Sequence, residues 1–184
     1  MKTELKTFPE RAAAEGLLDV AYATTDSPFG PLLLASTPRG IVRIGLPNQD
    51  SEELLDDLAT RVSPRVLEAP TRFDEVKREL DLYFGGKLTE FDLPLDWQLS
   101  KDFRRKVLRA IDRIPYGQTR SYTEMARGAG NERAVRAAGS ACGSNPIPIV
   151  VPCHRVLRSG GALGGYGGGL PMKEALLGLE GILS

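Results

Sequence analysis

Cys153 and His154 are neighbours in the run Asn145-Pro146-Ile147-Pro148-Ile149-Val150-Val151-Pro152-Cys153-His154-Arg155-Val156, and His154 is the only histidine in the chain. A thiol must lose its proton to act as a nucleophile, and an imidazole is a suitable base or relay. Arg155 adds positive charge that also favours a thiolate. A buried, inert cysteine is the other reading of the pair. Two cysteines and one histidine cannot complete a closed four-ligand metal site, and none has zinc-ligand spacing, so neither metal nor cofactor is expected. Glu180 falls in the last turn of the final predicted helix, where the helix dipole disfavours a carboxylate. That suggests a task such as orienting His154; an ordinary surface carboxylate is the alternative.

The elements around this segment must hold it. Its apolar stretch is short, β-branched and fenced by prolines, which predicts a buried extended segment delivering Cys153 to a fixed place. Successive side chains of an extended segment point to opposite sides, so Cys153 and His154 can meet only if the backbone turns there. Gly160-Gly161, Gly164-Gly165 and Gly167-Gly168-Gly169, with Tyr166 between, suggest a loop whose backbone comes close to a ligand, a floppy surface loop being the bland alternative. The loop lacks phosphate-loop spacing. Pro171 can start the last helix and Gly181 can end it.

Upstream, Ser121-Tyr122-Thr123-Glu124 has capping-box spacing and starts a short helix to about Arg127. Gly128-Ala129-Gly130 turns the chain, and Asn131 is a suitable N-cap for a second helix through Ala141. The spacing is that of a helix-turn-helix. The second helix consists of small residues plus Arg133 and Arg136, without the long polar side chains that read bases in the major groove. Two readings fit: a backbone that closely approaches a narrow minor groove, or a helix packed tightly on its own domain.

The first half reads as strands at Leu17–Thr24, Leu32–Ser36 and Ile41–Leu46 in antiparallel order, then helices over Ser51–Val62 and Phe73–Phe84. Phe91, Leu93, Leu95 and Trp97 alternate as an extended segment, with Pro94 arguing against a central strand. A basic helix follows, with Phe103, Val107, Leu108 and Ile111 as its apolar stripe. Residues 1–100 carry 11 Lys/Arg and 18 Asp/Glu, net −7; residues 101–184 carry 13 and 6, net +7. A basic half suits a polyanion, although solvated charges can also segregate by chance. No stretch is long and apolar enough to span a bilayer, and Met1–Lys6 has no apolar run behind its lysines. Two cysteines make no disulfide framework, which suits a cytoplasmic protein.

Together, Ile114-Pro115-Tyr116-Gly117, Ser121-Tyr122, Arg136, Asn145-Pro146, Pro152-Cys153-His154-Arg155-Val156, Gly165-Tyr166, Lys173-Glu174 and Glu180-Gly181 resemble the O6-alkylguanine-DNA alkyltransferases, the methylated-DNA–protein-cysteine methyltransferases. The likeness covers roughly residues 91–184; the rest matches more loosely. It implies an α/β fold: an N-terminal ribonuclease-H-like antiparallel sheet with helices over residues 1–96, then a mostly helical C-terminal domain over 97–184 containing the helix-turn-helix. It implies repair of double-stranded DNA by one irreversible, stoichiometric transfer of an alkyl group from O6-alkylguanine, with O4-alkylthymine as a further candidate substrate, after minor-groove binding and base flipping. Cys153 would accept the alkyl group. His154 would relay its proton through a water to Glu180, and Asn145 would brace the turn. Tyr122 would protonate the leaving guanine and sit beside the rotated phosphate. Arg136 would fill the gap in the duplex, with Ala134, Ala137, Ala138 and Gly139 along the same DNA-facing helix. Val156, Tyr166 and Gly167 would hold the flipped base, and Lys173 matches a lysine near the site. The protein would act as a monomer, with cooperative binding along DNA as a further expectation.

The chain departs from the family where Gly167 replaces a frequent serine, and where Arg104 and Leu108 replace frequent glutamine and tryptophan. It has no Cys or His before Cys142 to bind zinc. Three other readings remain: a lesion-binding module that only flags the base, a cysteine hydrolase, and a transcriptional regulator. The first replaces the cysteine, the second would turn over repeatedly, and the third needs base-reading side chains.

Overall fold

The computed structural model describes residues 11, 12 and 15–183; Met1–Lys6, read above for a secretory signal, lies outside them. The chain divides into two compact units. One runs up to Asp81 and includes Leu93–Leu99; the other comprises Leu82–Asp92 and the chain from Ser100 onward.

The first unit is a four-stranded sheet with a helix. Strands β1 (Val20–Thr25), β2 (Leu32–Thr37) and β3 (Gly40–Gly45) form an antiparallel meander, with Tyr22 opposite Ala35 and Leu34 opposite Ile44. The β1–β2 turn is closed by Ser27, whose hydroxyl accepts from the Phe29 N–H and donates to the Gly30 carbonyl. Helix α1 (Ser51–Arg61) is capped by Asp50, whose carboxylate accepts from the Glu52 and Glu53 N–H groups. Leu58 from α1 packs in a buried cluster with Val20, Ala35, Val42 and Leu99. A fourth strand, β4 (Val66–Glu68), pairs parallel with β1 at the sheet edge. This parallel strand was not legible in the sequence, because three residues are too few to show a period. The Phe91–Trp97 segment is extended only in part. Leu95 bridges to Ile41, the Pro94 carbonyl accepts from the Ile41 N–H, and Trp97–Leu99 then coils into a short 3₁₀ turn. Gly40 has φ +134°, and a Cβ there would lie 2.1 Å from the Pro94 oxygen, so only glycine lets this segment pass.

Helix α2 (Asp74–Phe84) begins in the first unit, and its last residues, Leu82–Phe84, belong to the second. In the second unit α3 (Asp102–Asp112) buries Val107, Leu108 and Ile111, the stripe read from the sequence. A two-residue parallel ladder joins β5 (Arg120–Ser121) to β6 (Val156–Leu157). It ties the start of α4 (Tyr122–Gly128) to the segment just after Cys153. The Ser121–Glu124 capping box is formed in both directions. Helix α5 (Val135–Gly143) packs on α4 and on α3 but starts later than its sequence suggested. Asn131 caps a single turn, its Oδ1 accepting from the Arg133 N–H, and the helix begins four residues on with Ala134 as N-cap. Helix α6 (Leu170–Leu179) has Pro171 in its first turn and ends at Gly181, φ +72°. No helix among the described residues is long and apolar enough to cross a membrane.

Candidate active site

The segment from Asn145 to Val156 is buried as expected but is not extended. Residues 147–150 form turns, closed by a Val151 N–H to Ile147 carbonyl bond of 2.9 Å. Ile149 has φ +75°, a costly backbone for a β-branched residue, and its side chain is fully buried. Asn145 holds this shape. Its Oδ1 accepts from the Ile147 N–H at 3.0 Å, and its Nδ2 donates to the Val151 carbonyl at 2.8 Å and to Cys153 Sγ at 3.2 Å. Cys153–Arg155 then forms one 3₁₀ turn, the bend that the Cys–His pair requires.

Cys153 is 4% exposed, and burial pushes its thiol pKa up, against the opposing pull of the Asn145 hydrogen bond and the Lys173 charge. The thiol is therefore protonated at neutral pH and needs a base. Its side-chain partner is Asn145. His154 turns its Nε2 edge to Glu180, 2.8 Å from Oε1. Its Nδ1 is buried and has no partner among the described residues. Burial lowers the imidazole pKa, outweighing the hydrogen bond to Glu180, so the ring is neutral.

Glu180, at the C-cap of α6, is the anion of the site. Burial opposes its ionisation, but hydrogen bonds from His154 and Arg155 prevail and bring its pKa down to about 2. Arg155 donates Nε to Oε2 at 2.8 Å, Nη2 to Oε1 at 2.9 Å, and Nη1 to the Ile114 carbonyl. A third donor to Oε1 is the Tyr83 hydroxyl, at 2.6 Å. No motif or spacing pointed to Tyr83, which lies 71 positions before His154. For Arg155 it suggested only nearby positive charge, not a bidentate clamp; the available signal was that a buried guanidinium demands an anion.

Beside this network lies a cavity of about 380 Å³, lined by Tyr122 of α4, Gly139 and Gly143 of α5, Arg158, and Gly164–Gly167 of the glycine loop. Cys153 is not part of its wall; burial raises the pKa of Tyr122 and Tyr166, which are, and a thiolate at Cys153 would raise both further. The Tyr166 ring meets His154 edge-on at 6.4 Å, and its hydroxyl is buried without a partner among the described residues. Gly164, φ +67°, lies so close to Tyr122 that a Cβ would sit 2.9 Å from the phenol oxygen. Val156 is buried, and its carbonyl accepts from Lys173 Nζ at 2.7 Å. Lys173 is buried too and off the cavity wall. Its ammonium also donates to the Leu163 and Gly165 carbonyls, so it fastens the glycine loop rather than lining the pocket. That corrects its place among residues expected to touch the base.

On α5, Arg136 and Ala137 are exposed, Ala134 and Gly139 half-buried. Ala138 is fully buried, which corrects its place on the DNA-facing surface: it points into the domain and serves packing. The helix packs on its own domain through one face and leaves Arg136 and Ala137 exposed on the other. Among the described residues no three His, Cys, Asp or Glu side chains cluster to hold a metal ion.

Two family profiles match the chain: the ribonuclease-like domain of 6-O-methylguanine DNA methyltransferase over residues 20–97, and its DNA-binding domain over 102–182. The methylated-DNA–protein-cysteine methyltransferase of Mycolicibacterium paratuberculosis is 45% identical over 161 residues, covering 88% of this chain and 92% of the relative. That of Methanosarcina acetivorans is 41% identical over 160 residues, covering 87% and 97%. The crystal structure of Mycobacterium tuberculosis OGT in complex with DNA aligns with a TM-score of 0.75 and 43% identity, over 87% of this chain and 92% of that one. With a buried thiol, a buried histidine–carboxylate pair and both halves matched, the chain belongs to the 6-O-methylguanine DNA methyltransferase family.

Proposed function

We propose that the protein repairs DNA by moving an alkyl group from O6-alkylguanine to its own Cys153. The observation that carries this is the protonated, buried thiol set one residue from a neutral imidazole whose other edge rests on a fixed carboxylate. The S–H bond breaks, a water passes the proton to His154 Nδ1, and the electron pair stays on sulfur. Sulfur attacks the alkyl carbon and the carbon–O6 bond breaks. Tyr122 gives a proton to the departing guanine and is reprotonated from solvent as the His154 imidazolium releases its own proton, so that overall one proton moves from thiol to base. With its pKa near 2, Glu180 does not take the proton itself; it stays ionised and stabilises the imidazolium. The proton is therefore read here as stopping at His154, one step short of the relay expected from the family.

The base must leave the stack to reach the thiol. The cavity between Tyr122, Tyr166 and Gly167 is the pocket we assign to it, with the Val156 carbonyl as a further acceptor. The α4–α5 pair acts as the helix-turn-helix, presenting Ala134, Ala137 and Gly139 to the minor groove while exposed Arg136 takes the place of the flipped nucleotide. A thioether has no route back, so each monomer reacts once, in the reducing cytoplasm that a free thiol needs. Alkylated thymine and cooperative loading on DNA extend the same reading.

Intact-mass spectrometry after incubation with duplex DNA carrying O6-methylguanine tests it. One methyl group, mapped to the Cys153 peptide, is expected. Repeated turnover without an adduct points to a hydrolase, and tight binding without transfer to a lesion-flagging module.

A further inference from the structure

A histidine acts as a base only through the nitrogen that carries no proton, so the surroundings of the other nitrogen decide whether it can work. At His154 Nε2 the structure sets two oxygens, Glu180 Oε1 at 2.8 Å and the Tyr83 hydroxyl at 3.3 Å. The Tyr83 hydroxyl has one proton, and it goes to Glu180 Oε1 at 2.6 Å. Burial, with the Glu180 charge next, raises the Tyr83 pKa, so the phenol keeps that proton. The ionised Glu180 can only accept. Both oxygens facing Nε2 are therefore acceptors, and Nε2 must be the N–H. Nδ1 is left with its lone pair, buried and without a partner among the described residues.

Tyr83 is itself immobilised. It is fully buried in the last turn of α2 and belongs to the same unit as His154 and Glu180. Phe91 packs against its ring at 5.1 Å, and Phe84 and Tyr116 meet it edge-on at 5.6 and 6.2 Å. The other charged or titratable groups around His154 are Arg155 from its own turn, Lys173 from α6 and Tyr166 from the glycine loop.

We propose that Tyr83 is a positioning residue: its hydroxyl, bonded to Glu180 Oε1 and set against His154 Nε2, locks the imidazole with the proton on Nε2 and Nδ1 open to the thiol proton. The effect on reaction rate rests on the alkyl-transfer reading above; the lock on the tautomer does not.

Because the chain has one histidine, ¹⁵N NMR of the full-length, tag-free protein reads His154 alone. At neutral pH the wild type is expected to show only the Nε2–H form, and Tyr83→Phe, which keeps the ring and the Glu180 acceptor, that form still in the majority but with a detectable share of Nδ1–H. Methyl transfer by Tyr83→Phe should slow about tenfold, the order of one lost hydrogen bond. That deficit should narrow as pH rises toward the raised pKa of the Cys153 thiol and the thiol ionises unaided. A deficit equal at every pH marks a packing role and overturns the proposal, as does a variant matching the wild type in tautomer and rate. A wild-type proton on Nδ1 overturns it with no variant at all. If Tyr83→Phe releases the tautomer in a protein that never takes up a methyl group, the positioning role stands and the alkyl-transfer reading falls.

Discussion

At the scale of single residues, the site depends on one carboxylate that accepts from His154, Arg155, Tyr83 and the Gly117 N–H. Replacing Glu180 with Gln leaves the buried Arg155 guanidinium without its anion, and stability should drop by about 3 kcal/mol in urea unfolding. The same group makes the fold acid-sensitive. Its folded pKa of about 2 lies below the ordinary 4.5, so as pH falls the unfolded chain takes up the proton first. The contribution, about 3 kcal/mol, is complete above pH 4.5 and is lost toward pH 2. His154 acts in the same sense higher up. Its folded pKa is depressed below 6.5, so unfolding is favoured as pH drops through that value. Urea midpoints measured from neutral pH downward should fall in two stages, and Glu180→Gln should remove the lower one. Cys153, His154, Asn145 and Glu180 were all legible in the sequence, the first pair by adjacency, Glu180 by its place at the end of the last helix and Asn145 by resemblance. Tyr83 was not: a phenol spaced 71 residues from its partner leaves no periodic trace, and only the fold brings it to the imidazole.

Elements carry the next set of outcomes. Ser121→Ala removes one half of the capping box and should cost about 1 kcal/mol in a denaturation experiment. The box was readable because its two partners are three residues apart. Asn131 misled for the opposite reason. An N-cap and an isolated turn use the same side-chain bond, and only the backbone beyond shows whether a helix continues. The apolar run before Cys153 likewise reads as extended from its β-branched composition, whereas Asn145 folds it into turns through bonds to Ile147 and Val151. Gly164→Ala should set a methyl group against the Tyr122 hydroxyl and slow transfer from bulky adducts more than from methyl, measured as the ratio of the two rates. Arg136→Ala should slow repair of duplex DNA while sparing reaction with a free alkylguanine base, since the exposed guanidinium has a task only when a strand must be held open.

Across the whole molecule, charge is unevenly shared. The 84 residues from Lys101 carry net +7 and the preceding 100 carry net −7. Affinity for DNA should fall linearly on a log–log plot against salt, and charge removal at Arg133 or Arg136 should flatten the slope by about one unit each. The order of sheet first and helices second was visible in the change of composition and period near residue 100. Less visible was the membership of the connecting segment, because Leu82–Asp92 has no pattern that distinguishes one unit from the other, yet it groups with the chain from Ser100 onward. Anyone trimming this protein to a minimal reactive unit would naturally cut just before α3, where the basic half begins. Such a truncation would carry the reactive sulfur and discard the phenol that steadies its proton acceptor, so a short version should begin no later than Leu82 or expect a sluggish reagent.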